Sequence, residues 1–499
     1  MRIPVTINPN TLKTYNCYNE SNIAKNTLRS DNLSNWDRTL PKSLQELCLE
    51  AIAKNWEEKP ILEEIVVTID RCLLLNILPT DLPLTLTVPK IDGDVYWKRC
   101  YLQKWPKSIP ENVSLDVQIN EIVKVSNSRK SSEESERSRK SSTTEHFKRT
   151  WKECFLETHI CEYLEKLKPE DYDAEKIKEL ADLCTDYVKI LNIRELQCSE
   201  NSPNRIPLNA ITSGLENLTE LSICFKQTYV GEKFTWDTVR VSSKDIRLLA
   251  KGLEKCKLRC FRLKNSDIDD EKAVIILKSL LKHELETLDF SHCRIRDYGA
   301  VAISKFCLEN SVSNLILTNN RIGAKGIESL SYVICSSACN LKSLNLKLNP
   351  ISQRGVAILM KPLTISARKI KTLHLNACGV GHISTLGEMI EHNSHLEHLD
   401  LSNNSLGEEM GKVILKGLRY NTTLKNLDVR MCKLNSADEF EILQRINKNR
   451  IAMKRPRTAR NPIIIEPQYK FEISDELLSE IENVFQSDET DEASTELTD

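Results

Sequence analysis

From Leu258 onward, apolar residues return at fixed offsets of three, two, three and two positions. The stretches are LRCFRLKNSDI (Leu258–Ile268), LETLDFSHCRI (Leu285–Ile295), VSNLILTNNRI (Val312–Ile322), LKSLNLKLNPI (Leu341–Ile351), IKTLHLNACGV (Ile370–Val380), LEHLDLSNNSL (Leu396–Leu406) and LKNLDVRMCKL (Leu424–Leu434). Their starts differ by 27, 27, 29, 29, 26 and 28 residues. The alternating centre of each stretch predicts a short strand with one face turned inward. The remainder of each period carries apolar residues at helical spacing, as in DDEKAVIILKSLLKH (Asp269–His283), and predicts a returning helix. LTELSI (Leu218–Ile223) reads as an earlier rung and YVKILNI (Tyr187–Ile193) as a degenerate opening strand.

This is the pattern of a leucine-rich solenoid, an α/β fold of short parallel strands backed by helices, of the long-repeat, ribonuclease-inhibitor-like horseshoe type. Each rung buries about five aliphatic side chains, worth roughly 1.5–3 kcal/mol each before entropy is counted, so no rung is stable alone. Gly299, Gly326 and Gly355 each fall four residues after a rung's last apolar position. They are expected to ease the turn into the helix or its packing on the strand. Cys293, Cys378 and Cys432 occupy the slot that Asn320, Asn349 and Asn404 hold in other rungs. An asparagine there bonds unpaired backbone at the strand end; a thiol does so weakly and packs as a small hydrophobe. These cysteines therefore read as scaffold, not as redox or metal groups.

Ahead of the repeats the periodicity changes. Residues 1–40 are rich in Asn, Ser and Thr and read as a disordered segment. Residues 41–124 read as a helical module. Its first helix presents Leu44, Leu47, Cys48, Ala51 and Ile52 on one face, ILEEIVVTIDRCLLLNIL forms the second, and Pro79, Pro83 and Pro89 break the chain before an aromatic helix, YWKRCYLQKWP (Tyr96–Pro106). Residues 125–146 form a low-complexity Ser/Arg/Glu-rich insertion. RKSS occurs in it twice, making Ser132 and Ser142 candidate sites for a basophilic kinase. Residues 147–215 carry two amphipathic helices (Phe147–Leu167 and Asp173–Val188) that would cap the open edge of the repeats. The repeat domain spans 216–446. In the tail, 447–499, a basic run is followed by an acidic one: Arg445–Arg460 holds seven Lys or Arg, and residues 472–499 hold eleven Asp or Glu with no Lys or Arg. Three readings stand for it: contact with an acidic surface such as tubulin, folding of the basic run onto the acidic one, or a merely solvated tail.

The 499 residues carry a formal net charge of −1, which removes any overall field toward nucleic acid or membrane. The first twenty residues lack an apolar signal segment, and the longest apolar stretch, Cys72–Leu78, is too short to span a bilayer. Seventeen cysteines, an odd number with no CxxC pair, point to free thiols in a reducing compartment. No phosphate-cradling, nucleophile-elbow or HExxH motif occurs, so no catalytic residues and no cofactor are expected. His392, His395 and His398 lie three apart, yet their positions in a rung do not let all three converge, and no metal site is assigned.

The positions between the buried ones build the concave face. Its middle column reads Arg262, Asp289, Ile316, Asn345, His374, Asp400 and Asp428. The flanking column reads Lys264, Ser291, Thr318, Lys347, Asn376, Ser402 and Arg430. With Thr287 and His398, the polar members of these columns are the candidate partner-binding residues. The face is mixed in charge and lacks stacking aromatics, which argues for protein partners and against nucleic acid or a small-molecule substrate. Asp289→Arg is expected to weaken partner binding and leave the solenoid folded.

DLPL (Asp81–Leu84) and YWKRC…KWP (Tyr96–Pro106) lie in the front module, WKECFLETH (Trp151–His159) in the cap, FTW (Phe234–Trp236) ahead of the regular rungs, and DIDDEKAVIILKSLL (Asp267–Leu281) in the first of them. Through them, residues 41–445 resemble the family of the leucine-rich-repeat subunit of the nexin–dynein regulatory complex, the t-complex-associated testis-expressed family. The Ser/Arg-rich insertion and the charged tail depart from the family pattern. The resemblance implies a non-enzymatic scaffold in the cytoplasm and cytoskeleton, at the axoneme of cilia and sperm flagella, where it helps regulate dynein-driven motility. Its implied partners are other subunits of the complex, with doublet microtubules and inner-arm dynein as further contacts. Two other classes compete. Trp97 and Trp105 in a helical module before repeats suit an F-box-like ubiquitin-ligase adaptor, and Arg262 on an early rung suits a Ran-type GTPase-activating solenoid.

Overall fold

The structure, a computed structural model, describes residues 42–108, 110, 149–199, 203–227, 240–365, 370–453 and 471–486. They fall into two compact units: one ends at Pro106, and the other holds the repeats. Ser132, Ser142, Phe234–Trp236 and residues 454–460 of the basic run lie outside the described residues.

The first unit contains α1 (Leu44–Lys54), α2 (Thr68–Ile77), α3 (Leu84–Lys90) and α4 (Asp94–Lys104). A capping box between Ser43 and Glu46 opens α1. The buried side of α1 is not the expected one. Leu49, Ala53 and the following Trp56 point inward, whereas Leu44 is 78% exposed, and Leu47, Cys48 and Ala51 are exposed too. Two apolar stripes compete on this helix, and the one continuous with Trp56 wins because it buries the larger side chain. The second predicted helix begins only at Thr68, since the β-branched run Ile65–Val67 before it is not helical. Of the three prolines expected to break the chain, only Pro79 follows a helix end; Pro83 stands at the N-cap of α3 and Pro89 lies inside that helix. Tyr96, Trp97 and Tyr101 of α4 form the core, and the Trp97 indole donates to the Ile91 carbonyl at 2.8 Å.

The second unit opens with α5 (Trp151–Lys166), started by a Thr150–Glu153 capping box, and α6 (Ala174–Cys184), capped by Asp173. Strand and helix then alternate: β1 (Ile190–Ile193), α7 (Asn209–Gly214), β2 (Glu220–Ile223), α8 (Ser243–Leu253), β3 (Cys260–Leu263), α9 (Asp270–Leu280), β4 (Thr287–Asp289) and α10 (Asp297–Glu309). The series continues with β5 (Asn314–Ile316), α11 (Ala324–Cys335), β6 (Ser343–Asn345), α12 (Ser352–Ile365), β7 (Thr372–His374), α13 (Ser384–His392), β8 (His398–Asp400), α14 (Glu409–Leu418), β9 (Asn426–Asp428) and α15 (Ser436–Met453). All nine strands pair parallel in sequence order. The two irregular early rungs are thus genuine members of the sheet. Leu191, Leu221, Phe261, Leu288, Leu315, Leu344, Leu373, Leu399 and Leu427 stack from rung to rung across the strand centres and face inward. Helix α15 continues seven residues past 446, from 447 to 453, so the basic run begins inside the last repeat helix. A further helix, α16 (Asp475–Asn483), forms within the acidic tail.

The edge of β1 is closed by α5 in a specific way. Glu157 accepts from the Lys189 and Ile190 N–H groups at 3.1 and 2.9 Å, Cys161 Sγ from Asn192 N at 3.3 Å, and Glu165 from Arg194 N at 2.8 Å. Helical positions i, i+4 and i+8 advance about 6 Å per step, close to two residues of strand, so one helix face satisfies the donors of a free edge.

Gly299 and Gly326 are tight against Ile295 and Ile322 of their own rungs, as close packing on the strand requires, and they have a second role. Asp270, at the start of α9, accepts from Arg296 N and Gly299 N of the next rung at 2.7 and 3.1 Å. Asp297, at the start of α10, accepts from Gly323 N and Gly326 N at 2.7 and 2.9 Å. A Cβ at Gly299 would sit 2.6 Å from Asp270 Oδ1, and one at Gly326 would sit 2.8 Å from Asp297 Oδ1. These glycines admit a carboxylate from the previous helix, which caps the next one. Gly355 is tight against Ile351 and the Ala324 backbone instead.

Candidate functional site: the strand face of the repeats

Each strand ends in the same sequence of steps. The residue before the Asn/Cys slot adopts positive φ in all seven regular rungs: Asn265, His292, Asn319, Leu348, Ala377, Asn403 and Met431. From that conformation its N–H continues the ladder, as from His292 to Thr318 O at 2.7 Å and from Leu348 to Asn376 O at 2.9 Å. The slot residue then closes the turn. Asn349 Nδ2 donates to Leu317 O at 2.8 Å and Leu346 O at 2.9 Å, and its Oδ1 accepts from Ile322 N at 3.2 Å. The cysteines keep the donor half of this arrangement: Cys293 Sγ donates to Leu263 O at 3.5 Å, Cys378 Sγ to Leu346 O at 3.1 Å and Cys432 Sγ to Leu401 O at 3.0 Å. Burial raises the Cys293 thiol pKa and pushes Cys378 up to about 11. Neither is a thiolate near neutrality, so neither is poised for redox or metal chemistry.

The middle column serves the rungs as well as facing outward. Asp289 Oδ1 accepts from Ser291 N at 2.9 Å and from the Ser291 hydroxyl, while Oδ2 pairs with Lys264 at 3.2 Å. Asp289 is only 2% exposed and Ser291 7%. Asp400 accepts from Ser402 N at 3.1 Å, Asn345 from Lys347 N at 3.2 Å and Asp428 from Arg430 N at 3.1 Å. The aspartate or asparagine two residues ahead therefore closes an Asx-type turn at the strand end. Asp289→Arg would break that turn and bury an extra cation, so, against the expectation above, it perturbs the rung itself.

The remaining predicted residues fall into two groups along the strand face. Arg262 is held by Glu220 at 3.1 Å, Lys264 by Asp289, and Thr287 accepts from Asn314 Nδ2 at 3.2 Å. At the other end Asp400 receives Lys347 at 3.2 Å and His374 at 3.6 Å, Asn376 donates to Ser402, His398 shares a hydrogen bond with Asn426 at 2.7 Å, and Arg430 closes on Asp428 at 2.6 Å. Burial, and then the Lys347 cation, lower the His374 pKa and keep the ring neutral near pH 7. Burial alone would raise the Asp400 pKa, but bonds from Ser402 and Lys347 hold it below the usual range. Ile316 and Thr318 lie half-buried between the two groups. One polar cluster in this region has no counterpart in the predicted columns: Glu397 takes Lys371 at 3.5 Å and also Lys425. These residues precede their strands, at positions the L-x-L spacing does not mark as facing outward.

Among the described residues no group of three or more His, Cys, Asp or Glu side chains is placed to hold a metal ion, and no helix is long and apolar enough to cross a membrane. Arg262, on which the GTPase-activating reading rests, is engaged by Glu220. Trp97, on which the adaptor reading rests in part, is buried in its own module.

A family model described as Leucine Rich repeat matches residues 283–304, 337–359 and 392–409. The mouse protein Dynein regulatory complex subunit 5 is 29% identical over 281 residues, covering 52% of this chain and 49% of that protein. The protein of the same name from Chlamydomonas reinhardtii is 26% identical over 242 residues, covering 46% and 49%. The chain thus spans about half the length of these curated relatives. Among solved structures, a Listeria monocytogenes internalin aligns over 55% of this chain and 68% of its own at 17% identity, with a TM-score of 0.33.

Proposed function

We propose that this chain, a homologue of dynein regulatory complex subunit 5, is a non-catalytic leucine-rich-repeat scaffold of that complex at the axoneme of cilia and flagella. The observation that carries the reading is the similarity to that subunit in organisms as distant as mouse and a green alga, over about half of this chain. The strand face is consistent with it: a polar surface of paired charges, with no cavity chemistry, is suited to binding other proteins. Within that face we assign partner contact to the residues that keep solvent-facing atoms: Arg262, Lys264, Thr287, Asn345, Lys347, His374, Asn376, His398, Asp400, Asp428 and Arg430. Asp289 and Ser291 support them from beneath. The partners are other subunits of the complex, with doublet microtubules or inner-arm dynein in contact further along, and the output is control of dynein-driven bending. Phosphorylation of Ser132 and Ser142 would act on the inserted segment.

The test is affinity purification of the tagged full chain from ciliated cells, followed by cross-linking mass spectrometry. Cross-links from Lys264 and Lys347 to subunits of the complex are expected. Co-purification with a Skp-type adaptor, or stimulation of GTP hydrolysis by the purified chain, would replace the reading with one of its competitors.

A further inference from the structure

The acidic tail of this chain does not all remain apart from the repeats. Helix α16, nine residues long and N-capped by Ser474, lies on the helix side of the solenoid against α10 and α11. Leu477 and Ile481, buried on α16, close over Val301, and Leu308, Tyr332 and Ile473 border the contact. Val484 is buried as well, so apolar residues at i, i+4 and i+7 form one stripe. The rim is cationic: Lys325 Nζ pairs with Glu480 at 2.7 Å, and Lys305 donates to the Glu482 carbonyl and stands 5.4 Å from the Phe485 ring centre. The opposite side of α16 (Asp475, Glu476, Ser479, Glu482 and Asn483) is exposed.

This contact is small. Three buried apolar side chains and one exposed ion pair must offset the ordering of a nine-residue helix that is too short to be stable by itself. Twenty residues separate Met453 from Ser474 in the sequence, so attachment to the same chain supplies a high effective concentration. A helix held mainly by its tether is open to exchange.

We infer that the groove between α10 and α11 is a docking site for acidic amphipathic helices, and that α16 is its resident ligand, masking the groove until a second helix of the same chemistry displaces it. The ligand class follows from the contact: apolar residues at i, i+4 and i+7, with a carboxylate placed to meet Lys325. The inference does not depend on membership of the dynein regulatory complex.

The test uses full-length protein and a fluorescent peptide of residues 471–486. In the double variant Leu477→Asp/Ile481→Asp the resident helix is undocked, and the peptide binds in trans with a Kd below about 1 mM. The wild-type chain binds it about tenfold more weakly or worse, because its own α16 competes. Adding Lys325→Glu to the double variant weakens binding, and a peptide carrying Glu480→Lys restores it. No binding to the double variant at millimolar peptide, or equal binding to both chains, overturns the inference. Loss of the cooperative melt in the double variant also overturns it, since α16 would then be an integral brace.

Discussion

An asparagine in the strand-end slot brings two N–H hydrogens and an acceptor oxygen, a cysteine only one S–H to share between carbonyls. Asn349 donates to two carbonyls and accepts from Ile322 N, while Cys378 donates to Leu346 O and Asn376 O. Asn349→Ala would leave buried backbone unpaired and is expected to cost about 2–4 kcal/mol in urea unfolding; Asn349→Cys should cost clearly less. Equal losses would mean the thiols close no turn. The slot was legible in the sequence because its spacing never varies. The preceding left-handed residue was not, because Leu348, Ala377 and Met431 adopt positive φ where glycine would have signalled it. Nor does the repeat spacing mark His283. It is buried and accepts Leu258 N–H on Nδ1 at 3.2 Å, and burial lowers its pKa. The unfolded chain therefore takes up the proton first as pH falls through about 6.5. Stability is full above that value and declines as the pH drops toward the folded-state pKa. His374, lowered too, acts in the same direction. Melts between pH 7.5 and 5.5 should show a shallower decline for His283→Asn, by at most one proton, about 1.4 kcal/mol per pH unit. Parallel curves would remove His283 from the account.

At the scale of elements, the edges and the junctions between helices decide stability. That a helix must cover the first strand follows from the exposed-edge problem alone, but the use of Glu157, Cys161 and Glu165 as a ladder of acceptors needed the structure. Glu157→Ala uncovers the Lys189 and Ile190 N–H groups and also frees Arg149, its ion-pair partner. It should lower stability by about 2–4 kcal/mol, with Glu157→Gln closer to wild type. Gly326→Ala places a methyl 2.8 Å from Asp297 Oδ1 and 2.9 Å from Ala300 Cβ and should cost about 1–3 kcal/mol. A neutral result in thermal melts would mean the helices slide apart freely. The failure on α1 has the same origin as these successes. Periodicity finds an apolar stripe, but it does not choose between two stripes when the deciding contact is a tryptophan beyond the helix end. Helix α16 shows the converse: SDELLSEIENVF carries a serine cap and an i, i+4, i+7 stripe, a readable helix hidden by the charge count of the tail.

At the scale of the molecule, seven regular rungs and two irregular ones give a single parallel sheet of nine strands, among the described residues, with α5 along its first edge. That much follows from repetition, since each rung needs its neighbours to bury its face. Function follows less directly. The strand-face charges pair largely with one another, so the sequence columns name a surface without naming what meets it. The assignment to the axonemal complex rests on similarity that covers about half of the relatives' length. The central claim is incorporation into that complex, and the most direct measurement is the location of a tagged full-length chain in ciliated cells after detergent extraction. The account predicts that it stays with the axoneme, along the doublets where the regulatory complex sits. Complete release with the detergent-extracted fraction, or a signal confined to the cytosol or the nuclear rim, would contradict it.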